Sequence, residues 1–240
     1  MPISLLRRAV LVAATFAVAG CANTGGLPIG GAPASQTVQA YQPSGSAGSS
    51  ACPTSQPPPL AAGQTRTVTI TTPNGTIVIK VTASTAPIAT GNFVALASCG
   101  YYNGVVFQRL VPGFVIQGGD GEFGRVGPDG KLSASDAANV GSGDPGYTIA
   151  DDPPQTGYAR GTVAMARTGD PHSEASQFFI VLDDSAATSL AQSNQYGYAI
   201  LGNVTSGMAV VDAIAALPNS GGQDNQAVDP VPMTSVTVGP

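Results

Sequence analysis

The stretch TRTVTITTPNGTIVIKV, residues 65–81, alternates polar and apolar side chains on both sides of Pro73-Asn74-Gly75. Alternation sends successive side chains to opposite faces of a strand. Two such runs around a Pro-Asn-Gly break predict a β-hairpin. Six more short runs read as strands: two flanking Pro112-Gly113, then GTVAMAR, SQFFIVL, YAILGNV and MTSVTVG. Between them, Ile88, Phe93, Val94, Leu96 and Ala97 recur at helical spacing after Pro87 and before Gly100. Met208, Val211, Ile214 and Leu217 do the same further on. The pattern predicts a mainly β protein, an eight-stranded antiparallel barrel with two α-helices at its ends. The 31 glycines, 20 prolines and low charge fraction of 10% suit such a loop-rich architecture. Residues 121–158 read as one long Gly/Asp/Pro loop without periodicity.

The N-terminal quarter is of another kind. Arg7 and Arg8 precede a short apolar run that ends in Val18-Ala19-Gly20-Cys21. A charged start and an apolar run too short to span a bilayer predict a signal peptide over residues 1–20. The small residues before the cysteine resemble the lipobox of bacterial lipoproteins, which implies acylation of Cys21 and a domain exported and lipid-anchored to the cell membrane. No Asp, Glu, Lys or Arg occurs from Ala9 to Thr65. Residues 21–63, rich in Gly, Ser and Pro, therefore read as a flexible tether, and residues 64–240 as the folded domain. Cys52 and Cys99 are the two cysteines left. Export permits a disulfide between them, pinning the tether's end to the domain, with two unrelated thiols as the alternative.

Several chemistries are excluded. A net charge of −5 gives no footprint for nucleic acid. His172 is the single histidine and the cysteines do not cluster, so no metal site is expected. Ser173 and Ser176 near His172 and Glu174 lack a Gly-x-Ser-x-Gly elbow, and adjacency in sequence is not triad geometry. Asp151 and Asp152 read as turn residues before Pro153-Pro154. No cofactor is expected, and monomer is the default state.

One motif does suggest chemistry. In FQRLVPGFVIQGGD, residues 107–120, each apolar run carries one long polar side chain, Arg109 and Gln117. Simple alternation puts Phe107 with Arg109 and sends Gln108 to the opposite face. It puts Val115 with Gln117, and Phe114 with Ile116. Arg109 and Gln117 would converge across the hairpin beside aromatic surface. A barrel-rim arginine lying along apolar surface with its charge in water accounts for the same pattern.

The motifs taken in order, NFVAL, GYYNGVVFQRLVPGFVIQGGD, GTVAMAR, SQFFIVL and YAILGNV, resemble the cyclophilin family of peptidyl-prolyl cis-trans isomerases in its bacterial exported form. The resemblance covers about Thr65 to Val238. It implies a groove on the outside of the barrel for proline-containing polypeptides, with Arg109 donating to the proline nitrogen and Gln117 positioning it. It implies an apolar pocket from Phe114, Val115, Phe179 and Leu190, closed by Tyr198, with Phe107 alongside. Ala166, Arg167 and Gln177 match positions that contact the residues before proline. The expected activity is rotation about Xaa-Pro bonds in exported proteins. The competing reading is a module that captures proline segments without turning them over.

Overall fold

The computed structural model describes residues 51–222 and 224–240. Cys21, the signal segment and the tether up to residue 50 lie outside them. The 65–81 region forms the hairpin, β1 (Thr65–Thr72) and β2 (Gly75–Thr82), in register from Thr65↔Thr82 to Thr72↔Gly75. After α1 (Pro87–Ser98) come β3 (Val106–Val111) and β4 (Val115–Gly118), then α2 (Ala134–Asn139). Next are β5 (Thr162–Met165), β6 (Phe178–Val181), α3 (Ala186–Ser193) and β7 (Ile200–Ser206). The chain finishes with α4 (Met208–Ala215), β8 (Gln226–Pro232) and β9 (Ser235–Gly239). All nine strands belong to one antiparallel sheet, ordered β8-β3-β4-β6-β5-β7-β2-β1-β9. Its edge strands β8 and β9 are separated only by Met233 and Thr234, so a single bent stretch forms both edges of the curled sheet.

The described residues thus hold one strand and two helices more than expected. The extra strand, QAVDPVP, carries two prolines, which central strands exclude; as an edge strand with β3 as its one neighbouring strand it tolerates them. Helix α2, ASDAAN, buries none of its residues, so no apolar period announces it. It is held at its start by Ser133 Oγ, which accepts from Asp136 N at 3.1 Å. Helix α3 buries only Ala186 and Leu190, one pair at i, i+4.

The folded body also begins earlier than residue 64. Cys52 and Cys99 are joined in a disulfide, Leu60 is buried, and its N–H donates to the Pro87 carbonyl at 2.9 Å. Helix α1 accommodates this segment with Gly91, where an added Cβ would come within 2.5 Å of the Pro58 carbonyl oxygen. The expected end of the flexible tether is corrected accordingly: Cys52 is bonded at the end of α1, Gln56 accepts from Ala150 N, and residues 58–60 lie against α1.

The main core lies inside the curl. Val68, Ile70, Ile77 and Ile79 from the hairpin meet Ile116, Val163, Phe178 and Ile180 from the centre of the sheet, and Phe93 and Leu96 from α1. Phe93, Tyr102 and Phe178 pack as a cluster with ring centroids 5.2–5.7 Å apart, the spacing at which aromatic pairs attract.

Candidate active site

The site lies on the other face of β4 and β6. Ile116, Phe178 and Ile180 point into the main core, whereas Val115, Phe179 and Val181 belong to a second cluster with Ala164, Ala186, Leu190 and Ile200. Phe114, Ala166 and Tyr198 pack against this second cluster while remaining partly exposed. The Phe179 and Tyr198 rings meet edge to face at 5.3 Å. Phe114 joins Val115 although alternation assigned them to opposite faces. It sits in the turn, one residue before β4 begins, where strand alternation does not apply. Leu190 reaches the cluster from α3.

A bulge in β3 sets the polar side of the site. Phe107 pairs with Gly118 and Arg109 with Gln117, which leaves Gln108 as the extra residue. The bulge undoes two expectations. Phe107 is fully buried in the main core against Phe178, so it lines no groove. Gln108, expected on the far face, turns toward the site and donates from Nε2 to Gln177 Oε1 at 2.8 Å.

The amide orientations follow from one another. Gln177 Nε2 donates to the Gly141 and Gly143 carbonyls at 2.9 and 3.0 Å, which turns Gln177 Oε1 toward the sheet. That oxygen accepts from Gln117 Nε2 at 3.0 Å as well as from Gln108. Gln117 is thereby left with its own Oε1 facing Arg109, whose Nη1 lies 3.5 Å away. Arg109 Nε donates to the Asp224 carbonyl at 3.1 Å. Burial pulls the Arg109 pKa down, while Tyr198 and Asp224 pull it up. The guanidinium keeps its charge throughout the working range.

The loop that supplies Gly141 and Gly143 is held by Asp120, the last residue of the QGGD motif. Its buried carboxylate accepts from the backbone N–H groups of Glu122, Phe123, Gly141 and Gly143 at 2.7–3.1 Å. Behind Gln177, Tyr102 Oη donates to the Ser176 carbonyl and Asn92 Nδ2 to the Ala175 carbonyl, tying the segment to α1.

Arg167 sits differently from expectation. Its side chain is only 1% exposed and makes a 2.7 Å ion pair with Asp151. It lies over the Tyr196 ring at 4.7 Å and donates to the Asp170 carbonyl. It borders a trough with Ala166 and Gln177 but braces the wall. Asp151 and Asp152, expected as turn residues, each use their carboxylate: Asp152 accepts from Ile88 N and Ala89 N at the start of α1. Glu174, beside this wall, is 1% exposed, and desolvation pushes its carboxyl up to about 8. Its Oε1 accepts from Ala199 N at 2.9 Å, and its Oε2 has no partner.

Sequence reading therefore brought together Arg109, Phe114, Val115, Gln117, Ala166, Gln177, Phe179, Leu190 and Tyr198. It missed Gln108, Asp120, the Gly141 and Gly143 carbonyls and the Asp224 carbonyl. Only Asp120 had a signal, as the acid closing the motif.

The structure thus sets one cation, Arg109, close to Tyr198 and the partly exposed outer apolar cluster of a curled antiparallel sheet. The chain belongs to the family described as cyclophilin type peptidyl-prolyl cis-trans isomerase/CLD, which matches residues 67–238. It is 33% identical over 183 residues to peptidyl-prolyl cis-trans isomerase A of Dickeya dadantii, covering 75% of this chain and 88% of that one. It is 37% identical over 175 residues to peptidyl-prolyl cis-trans isomerase B of Escherichia coli, covering 71% and 98%. The crystal structure of a Cryptosporidium parvum cyclophilin type isomerase matches with a TM-score of 0.59 at 26% identity, over 74% of this chain and 99% of that one. A second structure of that protein, in the presence of the dipeptide Ala-Pro, gives 0.57 at 26% identity over 72% and 99%. The chain is thus a peptidyl-prolyl cis-trans isomerase of the cyclophilin type.

Proposed function

We propose that this isomerase accelerates Xaa-Pro rotation in exported proteins, as a monomer anchored through acylated Cys21 outside the cytoplasm of a bacterial cell. The barrier to be lowered is about 18–20 kcal/mol and comes from amide resonance. Nothing need be deprotonated or attacked. In the twisted state the proline nitrogen regains its lone pair, so a donor aimed there favours that state over both planar ones. The Phe114, Val115, Phe179, Leu190 and Tyr198 surface holds the proline ring. Ala166 and Gln177 line the backbone ahead of it, and Arg109 donates. Gln117 holds Arg109 in place, so the donor costs little reorganisation when the bond twists. The observation that carries this reading is the chain of oriented amides ending at Arg109 beside the second apolar cluster.

Support for the location comes from the lipobox-like Val18-Ala19-Gly20-Cys21 and from the Cys52–Cys99 disulfide, which suits an oxidising compartment. The test is fractionation of bacteria carrying the full chain or its Cys21→Ser variant, with mass analysis of the mature N-terminus. Acylated protein in the membrane fraction, released by the substitution, is expected. Unmodified Cys21 in soluble protein would overturn the anchor. Refolding of a secreted protein limited by a proline isomerisation should quicken with the wild type and not with Arg109→Ala.

A further inference from the structure

A cavity of about 490 Å³ opens on the far side of Gln117 from the Ala166–Gln177 trough. The two share Gln117, Gly141 and Ser142 as a common wall. Arg109 and Gln117 form one side of this cavity, the exit of α2 another, and Asp224 and Gln226 a third. Resting on the reading of the groove given above, a polypeptide whose proline sits beside Arg109 extends one flank into the trough and the other toward this cavity.

The hydrogen bonds give the cavity a polarity. The polar side chains around it that carry donors each spend one inside the protein, and Arg109 keeps N–H groups free, those that serve the proline nitrogen in the reading above. Gln108 Nε2 and Gln117 Nε2 donate to Gln177, Asn139 Nδ2 to the Ser135 carbonyl, Ser142 Oγ to the Asn139 carbonyl, and Gln226 Nε2 to the Ala137 carbonyl. Arg109 spends Nε on Asp224 and turns Nη1 to Gln117. The acceptors are left over. No described residue donates to Asn139 Oδ1, Gln226 Oε1 or the Asp224 carboxylate, and Gln108 Oε1 is buried without any partner. Gln108 is itself only 2% exposed, so an orphaned acceptor there costs free energy until a donor reaches it. Each amide oxygen and the carboxylate can take a hydrogen, and Asp224 supplies a negative charge that offsets the positive charge of Arg109 in the same lining.

We propose that this cavity is a specificity subsite for a basic, hydrogen-bond-donating side chain, such as lysine, flanking the Xaa-Pro unit of the substrate. The subsite is a product of the 121–158 segment. Helix α2 is fixed to the edge strand by Gln226, and the loop after it is stapled by Asp120, so the cavity roof is in place before substrate arrives. Selectivity then arises beside the reacting bond without altering the donor that acts on it.

The experiment uses end-blocked peptides with lysine, norleucine or glutamate on either flank of one Xaa-Pro unit, with exchange followed by NMR. Norleucine keeps the length of lysine and removes the charge. On one flank lysine should raise kcat/KM about fivefold over norleucine, the upper range of an exposed charged pair, mainly through KM, and glutamate should fall below norleucine. Asp224→Asn should bring the lysine-to-norleucine ratio close to one, and added salt should shrink it in the wild type. Amide shifts of Ala138 to Ser142 on titration with the same peptides report the binding separately from turnover. Brisk turnover of all three peptides at equal KM would overturn the subsite and leave the isomerase groove intact. So would a lysine preference that survives Asp224→Asn at full size. No turnover of any peptide would count against the groove itself, and the shifts would then decide the subsite alone.

Discussion

Strands β4 and β6 serve two apolar clusters at once, one on each face, and the two are built differently. The inner one is closed: Ile116, Phe178 and Ile180 are fully buried among the hairpin and α1. The outer one is smaller and stops short of closing, with Phe114, Ala166 and Tyr198 left partly exposed and a row of amides along its edge. Neighbouring residues, Phe178 and Phe179, thus belong to different tasks. The closed face holds the sheet's curl. The open face keeps part of its apolar surface in contact with water, at the place proposed above for the substrate's proline.

The sharpest way to break this comparison is to empty each face in turn. Phe178→Ala should cost about 3–5 kcal/mol of stability, as large core deletions do, read as a shift in the denaturation midpoint. Phe179→Ala should cost roughly half of that, because its cluster is smaller, and should lose far more activity than its lost stability explains. Equal stability costs and equal residual activities would mean that the faces are not functionally distinct.

A smaller effect is expected from the amide row. Gln177→Leu keeps the side chain's bulk and removes both the acceptor for Gln117 and the donors to the Gly141 and Gly143 carbonyls. Loss of one positioning hydrogen-bond chain should lower kcat/KM about tenfold, with stability within about 1.5 kcal/mol of wild type. A rise in KM alone, with kcat untouched, would place Gln177 in binding and remove it from the orientation of Arg109.

The smallest effect concerns Glu174, whose buried carboxyl accepts from the Ala199 N–H. Desolvation raises its folded-state pKa to about 8, from an ordinary value of 4.5. Between those values the folded state holds a proton that the unfolded state has released. Stability from this group is therefore fully present below about pH 4.5 and is lost as pH rises through about 8. Glu174→Gln should flatten that part of the stability-pH curve and gain most at the alkaline end. An unchanged slope between pH 5 and pH 8.5 would show that Glu174 ionises normally.

Strand alternation and turn residues made most of the sheet legible. The hairpin at 65–82, the pair around Pro112-Gly113 and the runs at 162–165 and 178–181 all carry their pattern locally. Strand β8 was hidden by Pro230 and Pro232, whose tolerance depends on its lying at an edge. Helix α2 was hidden because it buries nothing. In the candidate site, the family motifs point to Arg109, Gln117, Phe179 and Tyr198, which the structure brings near one another. Gln108 and Phe107 were placed wrongly for one reason: a bulge adds a residue to β3, and nothing in FQRL marks it. The Gly141, Gly143 and Asp224 contributions are backbone carbonyls, which side-chain identity does not encode.

The most direct test of the account is Xaa-Pro exchange in a short peptide with residues 51–240 and with its Arg109→Ala variant, alongside both melting curves. Removing a preorganised donor should slow catalysis by about 10²–10³-fold and leave the melting temperature within about 2 °C, since Arg109 contributes no side chain to either apolar cluster. Turnover within a few-fold of wild type in a variant that melts normally would contradict it.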